Sequence, residues 1–258
     1  MAEADLGGQL EKMRREWDAR ARENARFYVD TARRDWTDAE FFRSGEGTVS
    51  EEILTDMINI CQGKDPKRMR VLEIGCGAGR VTRALAQVFG EVYGVDISGE
   101  MVRQAQQALA DLSHVHIFHN NGKDLDVLGS LKFDFAFSSI VFQHIPSREV
   151  IESYMRAVRR RLRPGCLFKF QVQGGVGLDN PPDDTWLGVT FSEQEARDMA
   201  LRCDFEMRYS YGGGTQYFWL WFFLPKLLSP AWRQHREYRL RMAYRRWRGR
   251  ISGILHRQ

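Results

Sequence analysis

Between residues 70 and 223 the chain alternates two hydrophobic rhythms. Short runs are apolar nearly throughout, and longer stretches carry apolar residues every three or four positions. The first kind predicts buried strands at 70–75, 91–96, 114–119, 133–138, 166–173, 205–211 and 215–223. The second predicts helices at about 79–89, 99–110, 147–161 and 192–203. Strands and helices that take turns in this way specify three αβα layers around a mostly parallel sheet. The last two strands are the exception, because only the turn at Gly212-Gly213-Gly214 separates them, and so short a connection joins antiparallel neighbours. Upstream, residues 1–47 are polar and helical in pattern, with aromatics at Trp17, Phe27, Tyr28, Trp36, Phe41 and Phe42, and they close on Ser44-Gly45-Glu46-Gly47. Residues 49–61 then space Ile53, Leu54, Met57, Ile58 and Cys61 along one helix face until Gly63 and Pro66 stop it.

The first strand carries the chemistry. Val71-Leu72-Glu73-Ile74 runs straight into Gly75-Cys76-Gly77-Ala78-Gly79, and Val81, Leu85 and Val88/Phe89 open a helix directly afterwards. Three glycines at a spacing of two let the chain turn sharply and let a flat ligand approach bare backbone. The next strand ends on Asp96, about 20 residues on, where a carboxylate meets a ribose diol in nucleotide-binding βαβ units. The glycines read G-x-G-x-G, one residue short of the dinucleotide fingerprint, and Arg80 and Val81 follow where a pyrophosphate needs a clear helix N-terminus. Glu73 would repel a phosphate and attract an ammonium group. The pattern therefore favours an adenosine ligand with a cationic, amino-acid-like end.

In these residues, and in 133–145 and 162–165 downstream, the chain resembles the class I S-adenosylmethionine-dependent methyltransferases. The resemblance extends over roughly residues 48–224. It implies a Rossmann-like sheet of seven strands, mostly parallel with the last strand antiparallel, and S-adenosyl-L-methionine as cofactor with S-adenosyl-L-homocysteine as product. It further implies that Asp96 takes the ribose hydroxyls and that Gly75, Gly77 and Gly79 line the methionine part beside Glu73. Asn121, Gly122 and Lys123 would hold the adenine, although an Asn-Gly turn there is equally compatible with the pattern. Ile97 and Met101 offer the other adenine face, or plain core. The loop opening at Ser138 borders the methionine end and the acceptor pocket, and within it His144 is either a proton acceptor during transfer or a packing residue. Residues 1–47 would form a lid, with Tyr28 and Trp36 facing the acceptor along with Val141 and Trp186; core packing is the competing reading for each aromatic.

Markers of narrower reactions are missing from the sequence. There is no Asn/Asp-Pro-Pro-Tyr after the fourth strand, no Pro-Cys pair where a cytosine-C5 enzyme keeps its nucleophile, and no carboxylate cluster suited to a metal. The expected activity is methyl transfer to an oxygen or nitrogen of a small-molecule, natural-product or lipid-linked acceptor. A non-catalytic cofactor-binding module whose tail recruits a partner is the alternative. Four scattered cysteines give neither a zinc site nor a disulfide framework. Residues 1–22 lack the apolar core of a signal peptide, and no run is long enough to span a bilayer, which points to the cytoplasm.

Charge alters the picture only at the end of the chain. Residues 226–258 hold ten basic side chains and one acid, a net +9 against +4 for the whole sequence, so residues 1–225 carry −5. Leu240, Tyr244, Trp247, Ile251 and Ile254/Leu255 recur at spacings of three and four, the mark of an amphipathic helix with a basic face over 225–258. Such a helix fits three roles: packing on the domain or a second subunit, peripheral contact with the inner face of an anionic membrane, or, less well, sequence-blind nucleic-acid binding.

Overall fold

The computed structural model describes residues 2–175, 185–230 and 232–242. Its sheet has seven strands: β1 (Arg70–Ile74), β2 (Glu91–Asp96), β3 (Val115–His119), β4 (Phe133–Ser138), β5 (Leu162–Val172), β6 (Glu206–Tyr211) and β7 (Phe218–Phe223). They lie in the order β3-β2-β1-β4-β5-β7-β6. β7 runs antiparallel to both β5 and β6, and the other pairings are parallel. The predicted strands are all present. β5 starts earlier than expected, since Leu162 already pairs with Phe133 across a register shift. The last hairpin is looser, because β6 ends at Tyr211 and β7 begins only at Phe218.

Helices α4 (Arg80–Val88), α5 (Gly99–Ala108), α6 (Arg148–Arg161) and α7 (Glu193–Arg202) cover the two sheet faces. Ser98, Ser147 and Ser192 cap α5, α6 and α7 through their hydroxyls, which fixes where each begins. One face buries Leu72, Ile74, Phe168, Phe170 and Phe222, and the other buries Val71, Phe135, Phe137, Trp219 and Phe223. Covering on both faces explains why these strands read as uniform apolar runs.

Ahead of the sheet stand α1 (Ala2–Val29), α2 (Asp38–Glu52) and α3 (Met57–Cys61). α1 buries Met13, Ala21 and Ala25, with Leu10 and Trp17 partly buried on the same side. At Asn24 its backbone becomes extended (φ −165°, ψ 84°), and the side chain secures the break: Oδ1 accepts from Phe27 N–H and Nδ2 donates to the Arg34 carbonyl. α2 begins in a Thr37–Glu40 capping box and continues through Ser44–Gly47, where the sequence suggested a boundary. The single helix expected over 49–61 is broken. Lys169, buried on β5, donates to the Glu52 carbonyl that a continuing helix would give to Asp56 N–H, which turns instead to the Ile53 carbonyl. Leu54 and Ile58 consequently face outward, while Ile53 and Ile60 are buried. The Lys169 ammonium lies 2.9 Å from Glu52 Oε2, 3.7 Å from Asp56 Oδ2 and 4.5 Å from the Trp221 ring centre, so this buried charge is fully partnered.

Of the basic tail, residues 232–242 are helical. His235 is buried, and Arg239 pairs with Asp204 at 3.1 Å, so this part packs on the domain while Arg233, Arg236 and Arg241 stay exposed. Leu240, expected on an apolar stripe, is exposed, and Tyr244, Trp247, Ile251, Ile254 and Leu255 lie outside the described residues. Among the described residues no helix is long and apolar enough to cross a membrane, and no cluster of His, Cys, Asp and Glu is arranged to hold a metal.

Candidate functional site

The glycine loop is strapped to the second strand by its own backbone. Gly75 and Cys76 N–H both donate to the Val95 carbonyl, and Gly77 N–H donates to Asp96 Oδ2 at 2.9 Å. Gly75 and Gly77 have φ of 71° and 51°. A Cβ on Gly75 would stand 2.2 Å from Val141 Cγ2, and one on Gly77 would stand 2.7 Å from Val29 Cγ2. Neither the backbone conformation nor the space admits a side chain. Asp96 Oδ1 accepts from Ser98 N–H at 2.9 Å, so each carboxylate oxygen is anchored by one backbone donor and keeps further acceptor capacity. Desolvation pushes the Asp96 pKa up, opposed by those two N–H groups.

Glu73 is buried under the loop and accepts from the Thr82 hydroxyl at 2.6 Å. Desolvation pushes its pKa to about 7, against the pull of Thr82 and Arg80. Because the folded-state value lies above the unfolded one, the folded protein holds the extra proton between about pH 4.5 and 7, and stability falls as pH rises through that window. Glu73→Gln removes this titration. Urea unfolding of wild type and variant at pH 5 and pH 8 is expected to show their stability difference moving by about 2–3 kcal/mol in favour of the variant at the higher pH. An unchanged difference would show that Glu73 ionises normally.

Arg80, the residue after the loop, folds back toward the N-terminal helices. Its guanidinium lies 3.1 Å from Thr48 Oγ1, 3.4 Å from Ser44 Oγ and 3.7 Å from Asp30 Oδ2. α1 is tied down separately: Asp18 Oδ1 accepts from Ser98 Oγ at 2.7 Å and from Glu100 N–H at 3.2 Å, and Gln104 donates to the Ala21 carbonyl. Between these helices and the strand ends lies a largely apolar cavity into which a few polar groups converge, the usual character of a small-molecule site. Glu73, Gly75, Gly77, Asp96, Ile97 and Met101 form its floor; Met13, Trp17, Tyr28 and Val29 form its roof; and Ile140, Val141 and His144 close the far end.

The structure thus gathers most of the residues expected from the sequence, but several stand elsewhere. Gly79 faces Leu109 and seats α4 on α5. Ser138 ties β4 to the Ile74 carbonyl. Asn121 spends Oδ1 on the N–H groups of Lys123 and Asp124, and Gly122 packs under Ile97 and Leu10, so neither they nor Lys123 reach the cavity. Trp36 leans on Phe41 and donates to the Asp30 carbonyl, away from the cavity. Trp186 backs the far end, its ring 5.2 Å from His144 and 6.1 Å from Tyr28. Met13, Val29, Arg80 and Ile140 also line the cavity although none stands out in the sequence as a site residue, and Trp17 stands out there only as one aromatic among several. Met13 and Trp17 sit four residues apart on one helix, a signal that was available. Ile140 has φ 56°, a conformation a β-branched residue rarely adopts and one that concentrates at functional sites.

His144 is buried between Trp17 and Trp186. Its Nδ1 meets the Trp186 carbonyl, and its Nε2 lies 3.3 Å from the side-chain amide nitrogen of Gln143. The segment bearing Trp186 is held by Gly188 and Val189, which donate to the Gln143 and Ile145 carbonyls.

Residues 71–165 match the profile of a family described as a methyltransferase domain. The malonyl-(acyl-carrier protein) O-methyltransferase of Enterobacter lignolyticus is 27% identical over 143 residues, which is 51% of this chain and 52% of that protein. This chain spans about half the length of the curated relatives it matches. Among solved structures, magnesium protoporphyrin IX methyltransferase (ChlM) from Synechocystis PCC 6803 with bound SAM superposes with a TM-score of 0.59, at 17% identity, over 83% of this chain and 96% of that one. The DhpI–SAH complex superposes at 0.58 with 18% identity, over 84% and 98%. At such identity the likeness shows the fold.

Proposed function

We propose that the chain is an S-adenosylmethionine-dependent methyltransferase that methylates an oxygen or nitrogen of a small-molecule, natural-product or lipid-linked acceptor, a reading supported by the match of residues 71–165 to a methyltransferase-domain family. One observation carries this reading. One pocket is lined both by the bare backbone of Gly75 and Gly77 with the Asp96 carboxylate and by His144 with the aromatic rings of Trp17 and Tyr28.

The residues fit the cofactor. The remaining lone pairs of Asp96 suit a vicinal diol, Ile97 and Met101 offer an apolar surface for the adenine, and Glu73 offers a negative charge near the amino-acid end. When bound, S-adenosylmethionine supplies a methyl group already activated on a sulfonium. The protein's task is then to hold the acceptor in line and keep water out. Trp17 and Tyr28, backed by Trp186, form an apolar wall against which a flat acceptor lies, and His144 beside them takes the proton that an acceptor hydroxyl or amine gives up. Glu73, once paired with an ammonium group, ionises and releases its proton.

Calorimetry with S-adenosylhomocysteine, followed by transfer of labelled methyl groups to a panel of hydroxyl and amine acceptors, tests the proposal. One-to-one binding and turnover are expected. Binding without any turnover would favour the non-catalytic module, and absence of binding would overturn both.

A further inference from the structure

We infer that Gln171, near the C-terminal end of β5 and outside the cavity lining, is a positioning residue that makes Nε2 of His144 the proton-accepting nitrogen. The inference rests on the proposed reaction for its use of that nitrogen, but the nitrogen's state is set by the fold alone.

Gln171 and Gln143 are both buried, and buried side-chain amides are costly unless paired. Gln171 Oε1 accepts from Ile140 N–H at 3.1 Å, and Gln171 Nε2 donates to the Gln216 carbonyl at 3.3 Å. A backbone N–H only donates and a carbonyl only accepts, so these two contacts fix which way the Gln171 amide points. Its Nε2 also donates to Gln143 Oε1. That contact fixes the second amide in turn, directing Gln143 Nε2 at His144 Nε2, 3.3 Å away. Facing a donor, His144 Nε2 carries a lone pair and no proton. The imidazole proton sits on Nδ1 and is donated to the Trp186 carbonyl.

Every link has the same polarity from Ile140 to Trp186, and both ends are backbone groups that cannot reverse. Chains of this kind order a single tautomer. In the reaction, the acceptor hydroxyl or amine displaces the Gln143 amide from Nε2 and gives its proton to that lone pair as the acceptor atom bonds to the methyl carbon. The carbon–sulfur bond breaks with its electron pair on sulfur, and the imidazolium keeps Nδ1–H on the Trp186 carbonyl. The same Gln171 oxygen holds the N–H of Ile140, whose unusual backbone conformation shapes this end of the cavity.

The test uses the full chain. Nitrogen-15 spectra of histidine-labelled, ligand-free protein at neutral pH, with the His144 signals identified by their loss in His144→Gln, are expected to show a protonated Nδ1 and an unprotonated Nε2. A proton on Nε2 with none on Nδ1 would overturn the proposal whatever the variants do. In Gln171→Glu the carboxylate still accepts from Ile140 N–H but cannot donate to Gln143, whose amide then turns its oxygen toward His144 and draws a proton onto Nε2. Expected results are that proton in the spectrum, kcat lower by about tenfold to a hundredfold, and unchanged affinity for S-adenosylhomocysteine. A wild-type spectrum and kcat in Gln171→Glu would refute the positioning role. Failure of S-adenosylhomocysteine to bind the wild type would instead strike the proposed function and leave the tautomer result standing.

Discussion

Replacing Asp96 with alanine is expected to weaken S-adenosylhomocysteine binding by roughly 100- to 10,000-fold. Two hydrogen bonds from a ribose diol to an ionised carboxylate, at about 1.5–3 kcal/mol each, set this scale. The position offers no substitute acceptor, since Gly77 and Ser98 present N–H groups there, and in the variant these donors would face the ribose hydroxyls without the charge that organises them. The carboxylate also holds the glycine loop to the second strand through Gly77 N–H, so part of the loss comes from a less ordered cradle. Calorimetry on wild type and variant checks the figure. An affinity within threefold of wild type would mean that the ribose binds elsewhere.

Gly45→Ala is expected to lower stability by about 2–3 kcal/mol, the upper part of the range for overpacked sites. α2 lies so close to the start of α4 that the new Cβ would stand 2.0 Å from the Arg80 carbonyl oxygen and 2.7 Å from its carbon. Backbone cannot rotate aside as a side chain does, so α2 must move off α4 and carry Ser44 and Thr48 away from the Arg80 guanidinium. The variant should therefore also bind S-adenosylhomocysteine more weakly. Gly47, two residues on in the same helix, has open space where its Cβ would be, and Gly47→Ala should stabilise by up to about 1 kcal/mol through helix propensity. Thermal unfolding of the pair reads the contrast as transitions moving in opposite directions, by a few degrees per kcal/mol. Equal shifts would place α2 away from α4.

These two glycines show how far the sequence can be read. Ser44-Gly45-Glu46-Gly47 has the composition of a break, and local propensity counts two glycines against a helix. In the fold Gly45 is a packing contact inside one, because a neighbouring helix needs the missing side chain. The helix expected over 49–61 fails for a similar reason, since Lys169, more than 100 residues away, takes the Glu52 carbonyl. Asn121 was a fair candidate for adenine contact, but its oxygen closes its own turn. His144 was recognisable as a residue with chemistry to offer, whereas Gln143 and Gln171, which orient it, gave no signal.

The sequence by itself determined the sheet, the flanking helices and the glycine-loop end of the cavity. Each of these depends on short-range pattern: uniform apolar runs where both faces are covered, helical spacing between them, and a glycine loop whose neighbouring strand must end on Asp96. The tertiary structure alone decided the roof of the cavity, the close seat of α2 on α4, and the tautomer of His144. Those arise from contacts between distant segments, 45 with 80, 18 with 98, and 171 through 143 to 144 and 186. A lone buried amide or a missing Cβ has no period along the chain, and its meaning is set by what folds against it.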